Sequence, residues 1–237
     1  MLDSGFSSVL EAESREDFRG EVIRFTTALG FNTVSALAVV DRGIGMADFA
    51  AVDNAPPGYA EAINDALSMR RDPVMQHCRR NTVPIIWDQH TYTEIGLGEL
   101  WEEQARFGYR TGIAMALHLP AGRHFALGVE RDQPLPADRR ELTRLVADLQ
   151  LFVVHAQEAA MRILAPQARP QEGPTLTPRE LEALRWTMEG KTAWEVGRIL
   201  GISERTAVLH VHNAMRKLDC ASKHQAVLKA LRLGLIH

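Results

Sequence analysis

Ten residues, APQARPQEGP at 165–174, constrain most strongly what this chain can fold into. Pro166, Pro170 and Pro174 each remove a backbone donor and fix φ, and no apolar period of either kind runs through the segment. It reads as a linker between a large domain at residues 1–164 and a small one at 175–237. Charge changes sign across it: residues 175–237 hold ten Lys+Arg against six Asp+Glu, net +4, and the remainder seventeen against twenty-four, net −7, together the −3 of the whole chain. A small basic domain on a larger acidic one suggests a polyanion as partner of the former.

Composition narrows the classes further. Two cysteines, Cys78 and Cys220, give neither a disulfide framework nor zinc-ligand spacing, as expected of a reducing cytoplasmic setting. No apolar run approaches the roughly 18 residues of a membrane helix, and the acidic start lacks the basic region of a secretory signal. There is no Gly-rich phosphate loop and no Gly-x-Ser-x-Gly, so no enzyme is expected. His77 and Cys78 point about 100° apart on a helix, which suits a buried thiol better than a nucleophile–base pair. His118 and His124 flank a hairpin, but two histidines alone are a weak metal signal.

Before the linker, helical and strand patterns alternate. Phe18, Val22, Phe25 and Leu29 recur at helical spacing over 16–29, and helices also fit 59–70, 74–80, 98–107 and 138–164. Strands fit 33–40, 46–52, 83–87, 112–119 and 124–130, and the last two join through Pro120-Ala-Gly-Arg123, so part of the sheet is antiparallel. The apolar stripe from Leu142 to Ala160 either covers this sheet or pairs with a second subunit.

After the linker come four short helices with legible ends. Thr177-Pro178 followed by Glu180 makes an N-cap, a proline at the first helical position and a capping-box glutamate; Gly190 and Gly201 are C-terminal stops, and Ser203 opens the third helix. A helix over 193–200, a turn at 201–203 and a second helix have helix-turn-helix spacing, with Ala193, Val196, Ile199 and Leu200 packing on Ala207 and Val211. Ala207, Val211, Ala214, Met215 and Leu218 form the apolar stripe of that second helix. Leu209 stands on its polar face, where a thymine methyl in the major groove would cover it.

These residues carry a family resemblance. Thr175 to Ile236 resembles the four-helix DNA-binding domain of LuxR-type regulators, with Thr177-Pro-Arg-Glu180, Leu184, Gly190-Lys191-Thr192, Glu195, Leu200, Ser203, Thr206, His210, Asn213 and Met215-Arg-Lys-Leu218 as its markers. The resemblance implies double-stranded palindromic DNA as partner, with Val208, Leu209 and His212 facing bases and Lys191, Thr192, Arg205, Thr206, His210 and Lys217 on phosphates. Val208 and His212 stand where relatives often carry cations, which shifts readout from guanines towards methyl groups.

DPVMQHCRRNTVPIIWD, Trp101-Glu-Glu and Gly108-Tyr-Arg-Thr-Gly112 resemble the autoinducer-binding domain of quorum-sensing receptors over Phe18 to Leu164. The implied fold is an α/β/α sandwich around a mainly antiparallel five-stranded sheet, making the whole an α+β chain with a C-terminal helix-turn-helix domain. The implied ligand is a small-molecule autoinducer, an N-acyl-homoserine lactone or related signal; no other cofactor and no metal is expected. Asp72 matches the carboxylate that accepts the ligand's amide N–H, Trp87 and Trp101 match aromatic walls, Gly112 a glycine at a strand start, and Val74, Ala126 and Ile86 an apolar lining. Taken alone, Asp72-Pro73 reads as a plain helix N-cap with proline at the next position; Trp87 fifteen residues later favours the pocket role. Tyr59 replaces a tryptophan that donates to the lactone carbonyl, and Ile63 replaces a tyrosine whose hydroxyl binds the amide carbonyl. Either another group takes that role, or the ligand lacks that carbonyl, or the chain is an orphan regulator that needs no lactone. A homodimer is implied, as is RNA polymerase as partner if the protein activates transcription.

Overall fold

The computed structural model describes residues 4–43, 46–63, 71–164 and 175–236. The expected linker, the second half of the expected helix over 59–70, and the side chain of Ile63 lie outside the described residues. The chain divides into two compact units, Met1–Leu119 with Arg123–Gln167, and Ala168–His237 with Pro120–Gly122.

In the first unit, α1 (Ser4–Ser7) and a 3-10 turn lead into α2 (Arg15–Ala28). Ser14 and Asp17 cap α2 reciprocally, and Phe18, Val22 and Phe25 form its buried stripe. Five strands follow, interrupted by helices: β1 (Thr33–Gly43), β2 (Met46–Asp53), β3 (Ile85–Trp87), β4 (Thr111–Leu119) and β5 (Arg123–Arg131). They are ordered β2-β1-β5-β4-β3, and each neighbouring pair is antiparallel. Between β2 and β3 lie α3 (Tyr59–Ile63) and α4 (Pro73–Arg80); between β3 and β4 lie α5 (Gln89–Thr93) and α6 (Gly98–Ala105).

The pleat sorts side chains onto two different faces. One carries Val34, Ala36, Ala38, Ile113, Met115, Phe125, Leu127 and Val129, all buried in a core with α2 and the long helix α7 (Arg139–Ile163). Phe25 of α2 stacks on Phe152 of α7 with ring centroids 4.0 Å apart. Leu145, Leu149, Phe152, Val153, Ala156 and Ala160 are buried within this unit, so most of the α7 stripe covers the unit's own core. The opposite face is floored by Gly112, Ala114, Ala116, Ala126 and Gly128, whose short side chains leave room for larger groups above.

The second unit is helical: α8 (Pro178–Met188), α9 (Ala193–Leu200), α10 (Glu204–Lys217) and α11 (Lys223–Arg232). Leu184, Ala214, Leu218, Ala226, Ala230 and Ile236 form one buried cluster; Ala183, Val196 and Ala207 form another beside it.

Candidate functional site

Two surfaces concentrate the chemistry. The first lies on the small-residue face of the sheet, where α4, α5 and α6 bring up larger groups. Val74, Cys78, Trp87, Tyr92 and Tyr109 are buried there against Ala114 and Ala116, with Tyr59, Trp101 and Ala126 partly buried at their edge. Tyr59 stacks on Tyr109 with centroids 4.1 Å apart. Burial, reinforced by Tyr109, Glu130 and Asp72, pushes the Tyr59 phenol up, so it remains a neutral group. Burial likewise raises the Cys78 thiol to about 11, which leaves it protonated and unreactive at neutral pH.

Asp72 serves both alternatives at once. Its Oδ1 accepts from Met75 N at 2.9 Å and caps α4. Its Oδ2 accepts from Tyr92 Oη at 3.0 Å and from Gln104 Nε2 at 3.2 Å, inside the unit, where Asp72 is only 9% exposed. Tyr92 and Gln104 were not legible as partners in the sequence: they stand 20 and 32 residues away, and nothing local marks them. Trp87 lies across Gly112, where a Cβ would meet Val129 O at 2.5 Å and the indole at 2.7 Å, so glycine is required by the close approach itself. Trp101 turns its Nε1 to Arg110 O at 3.0 Å.

Ile86 is a correction. It alternates with Trp87 and points to the opposite side of β3, 46% exposed, so it does not line this face. The run Pro84-Ile-Ile-Trp87 has no alternation from which its parity could be read. His118 and His124 do meet, Nδ1 to Nδ1 at 2.9 Å. Among the described residues no three His, Cys, Asp or Glu side chains gather as a metal site, and no helix is long and apolar enough to cross a membrane.

The second surface is the outer side of α9 and α10. Thr192 and Glu195 form a capping box that starts α9; Gly201, at φ 68°, ends it in the left-handed conformation that favours glycine; Ser203 accepts from Thr206 N to start α10. Gly197 closes the pair: a Cβ there would sit 2.9 Å from Ile202 O. The expected stripe of α10 is inside, with Ala207, Ala214 and Leu218 fully buried. Val208 and Leu209 are outside, 50% and 55% exposed, with Arg205 and His212 also exposed and Lys191, His210 and Asn213 at intermediate depth.

One expectation on this surface changes, and three expected phosphate contacts have partners within the domain. Ile199, expected in the helix-helix core, is 46% exposed, because α9 packs through Val196, Leu200 and Gly197 instead. The Lys217 ammonium is paired within the domain, 2.8 Å from Glu180 Oε2 and 3.2 Å from Thr175 O, at the surface with its side chain 32% exposed. Glu180 is buried, which by itself would raise its carboxyl, but Lys217 and the Thr177 cap outweigh burial and hold it below the usual range. Thr192 and Thr206 have hydroxyls engaged in the caps, with Glu195 and Ser203.

A family model described as autoinducer binding domain matches residues 14–160, and one described as bacterial regulatory proteins, luxR family, matches residues 174–230. The chain belongs to the LuxR family of transcriptional regulators. It is 33% identical to the transcriptional activator protein SolR of Ralstonia nicotianae, over 94% of this chain and 93% of that one. It is 31% identical to the quorum sensing-dependent regulator RpaR of Rhodopseudomonas palustris, over 87% and 83%. Among solved structures, SdiA in complex with octanoyl-rac-glycerol superposes with a TM-score of 0.73 at 27% identity, covering 100% and 99% of the two chains. Escherichia coli SdiA crystallised in space group P6522 gives 0.75 at 26%, covering 97% and 94%. The sheet-centred unit is thus the autoinducer-binding domain of this LuxR-type regulator, and the helical unit its DNA-binding domain.

Proposed function

We propose that this LuxR-type regulator senses an N-acyl-homoserine lactone or a close relative of one and responds by changing its hold on a palindromic operator. The signal lies on the small-residue face of the sheet, with Tyr59, Asp72, Val74, Trp87, Trp101, Gly112 and Ala126 around it. The observation that carries this reading is Asp72, a buried carboxylate whose Oδ2 faces inward and binds amide and hydroxyl donors. A ligand amide would share or replace the position of Gln104 there.

The protein works as a cytoplasmic homodimer without catalytic activity, and two-fold symmetry requires half-sites about one helical turn apart. Val208, Leu209 and His212 meet base edges; Arg205, Lys191 and His210 hold phosphates, with Thr192 and Thr206 presenting capped helix ends and Asn213 alongside. RNA polymerase is the further partner if the protein activates. Ligand binding acts by mass action on the folded first unit, which in turn shifts the population of DNA-competent dimers.

Thermal unfolding against a panel of acyl-homoserine lactones tests the reading. A ligand at 100 times its Kd adds about 2.7 kcal/mol to the stability of the form that binds it. A shift with one lactone class, together with tighter operator binding, is the expected result. Specific operator binding with no response to any lactone would sink the lactone reading and leave the orphan regulator.

A further inference from the structure

Two buried side-chain polar atoms among the described residues lack a hydrogen-bond partner, Trp87 Nε1 and Glu130 Oε2. Such an orphan costs about 1–3 kcal/mol, so a pair of them on one surface calls for a physical reason. Both residues are more than nine-tenths buried. Trp87 stands opposite Gly112, and Gly112 opposite Glu130, so the two side chains rise from the same face on one row of three adjacent strands.

Glycines make the space that they occupy. The indole fills the place of a Gly112 side chain: a Cβ there would sit 2.7 Å from Trp87 Cε2, the ring carbon bonded to Nε1. Glu130 leans along β5 into the place of a Gly128 side chain, where a Cβ would sit 2.8 Å from its Oε1. Gly112 and Gly128 are diagonal neighbours across β4 and β5, a backbone separation of about 7–8 Å, which sets the indole and the carboxyl side by side on this face. Next to this pair are the small side chains Ala114 and Ala116.

We propose that Trp87 and Glu130 form a two-point subsite for an uncharged, carbonyl-bearing head group, with Glu130 donating the hydrogen bond to a carbonyl that Ile63 cannot make. The proposal rests on the small-molecule reading of this face. An indole N–H can only donate. The groups that face Glu130 are the Thr33 hydroxyl, the Asp72 carboxylate and the phenols of Tyr59 and Tyr109, none of them a cation. Burial, with a further contribution from Asp72 and some relief from Thr33, raises the Glu130 carboxyl to about 8. At neutral pH it is therefore a neutral acid with an O–H to donate. Two donors select a ligand with acceptor oxygens, and burial beside the Asp72 carboxylate disfavours an anionic one.

The full-length protein, titrated calorimetrically with N-octanoyl-homoserine lactone and separately with octanoyl-rac-glycerol, tests this. Glu130→Gln keeps a donor at the same reach and should bind within about threefold of the unmodified protein; Glu130→Met, similar in length without a polar tip, should bind about tenfold more weakly, the equivalent of one hydrogen bond. With octanoyl-rac-glycerol, whose head group does not ring-open in base as a lactone does, raising the pH from 7 to 9 should weaken binding by the unmodified protein about tenfold, as the neutral fraction of a group near 8 falls, and leave the Gln variant flat. This arm does not depend on the Met variant folding. Binding by Glu130→Met equal to the unmodified protein, or a Gln variant as weak as Met, overturns the proposal. Failure of the unmodified protein to bind either probe overturns the small-molecule reading, and the proposal with it.

Discussion

Replacing Asp72 with alanine should destabilise the ligand-free first unit by about 3–5 kcal/mol, the sum of one lost helix cap and two buried donors left without an acceptor. The cap is the bond from Met75 N to Oδ1 at 2.9 Å, of the kind that contributes about 1 kcal/mol. The donors are Tyr92 Oη and Gln104 Nε2, both buried, each of which loses its bond to Oδ2 and costs about 1–2 kcal/mol when orphaned. Ser14→Ala supplies an internal calibration, because it removes the exposed capping box of α2 and nothing buried, and it should cost only about 1 kcal/mol. Asp72→Asn, which keeps an acceptor oxygen, should fall between the two. Urea unfolding of the first unit, with the m-value checked for constancy, measures all three. If Asp72→Ala costs no more than Ser14→Ala, the inward bonds contribute nothing and Asp72 is a cap alone. The same result fixes how ligand data are read, since a variant that unfolds cannot report on lactone contact.

Gly197→Ala drives a Cβ to 2.9 Å from Ile202 O and 3.2 Å from Glu204 N, so it should destabilise the DNA-binding unit by about 1–3 kcal/mol, seen as a lower Tm of that unit and weaker binding to all duplexes. Lys217→Met should lower that Tm through the stranded Glu180 carboxylate while leaving the salt dependence of DNA binding unchanged; a salt slope reduced by about one would return Lys217 to the phosphates. Glu130 binds its proton more tightly folded than unfolded, so its contribution to stability is full below the ordinary carboxylate range and is lost as pH rises to about 8. The first unit of Glu130→Gln should accordingly show a flatter pH–stability profile between 5 and 8 than the unmodified protein, and identical profiles would contradict the burial assigned to Glu130.

What was legible in the sequence is what local chemistry decides. Thr177 with Glu180, and Ser203 before α10, reveal themselves within three residues, because a cap is a bond between near neighbours. The five strands and the β4–β5 hairpin follow from β-rich runs punctuated by Gly and Pro and from a Pro-Ala-Gly turn, and the stripe of α10 follows from its period. What was not legible depends on contacts distant in sequence. Lys217 reads as a solvated cation until Glu180, 37 residues earlier, is brought to 2.8 Å. Gln104 reads as helix surface until it meets Asp72. Glu130 reads as the polar end of a strand, and only the register that sets it opposite Gly112, with Gly128 vacant beside it, turns it inward. Ile86 and Ile199 erred for the converse reason, since an apolar residue at a plausible period says nothing about which neighbour fails to arrive.

On the proposed reading, α10 meets DNA bases through the exposed pair Val208 and Leu209. The direct measurement compares Leu209→Ala with the unmodified protein on an operator selected from a randomised duplex pool and on an unrelated duplex, at the same salt. Loss of a methyl contact should weaken operator binding about tenfold, whereas nonspecific binding, which is carried by phosphate contacts, should change by less than about twofold. Equal losses on both duplexes would contradict the claim, because they would mean that Leu209 supports the helix and touches no base.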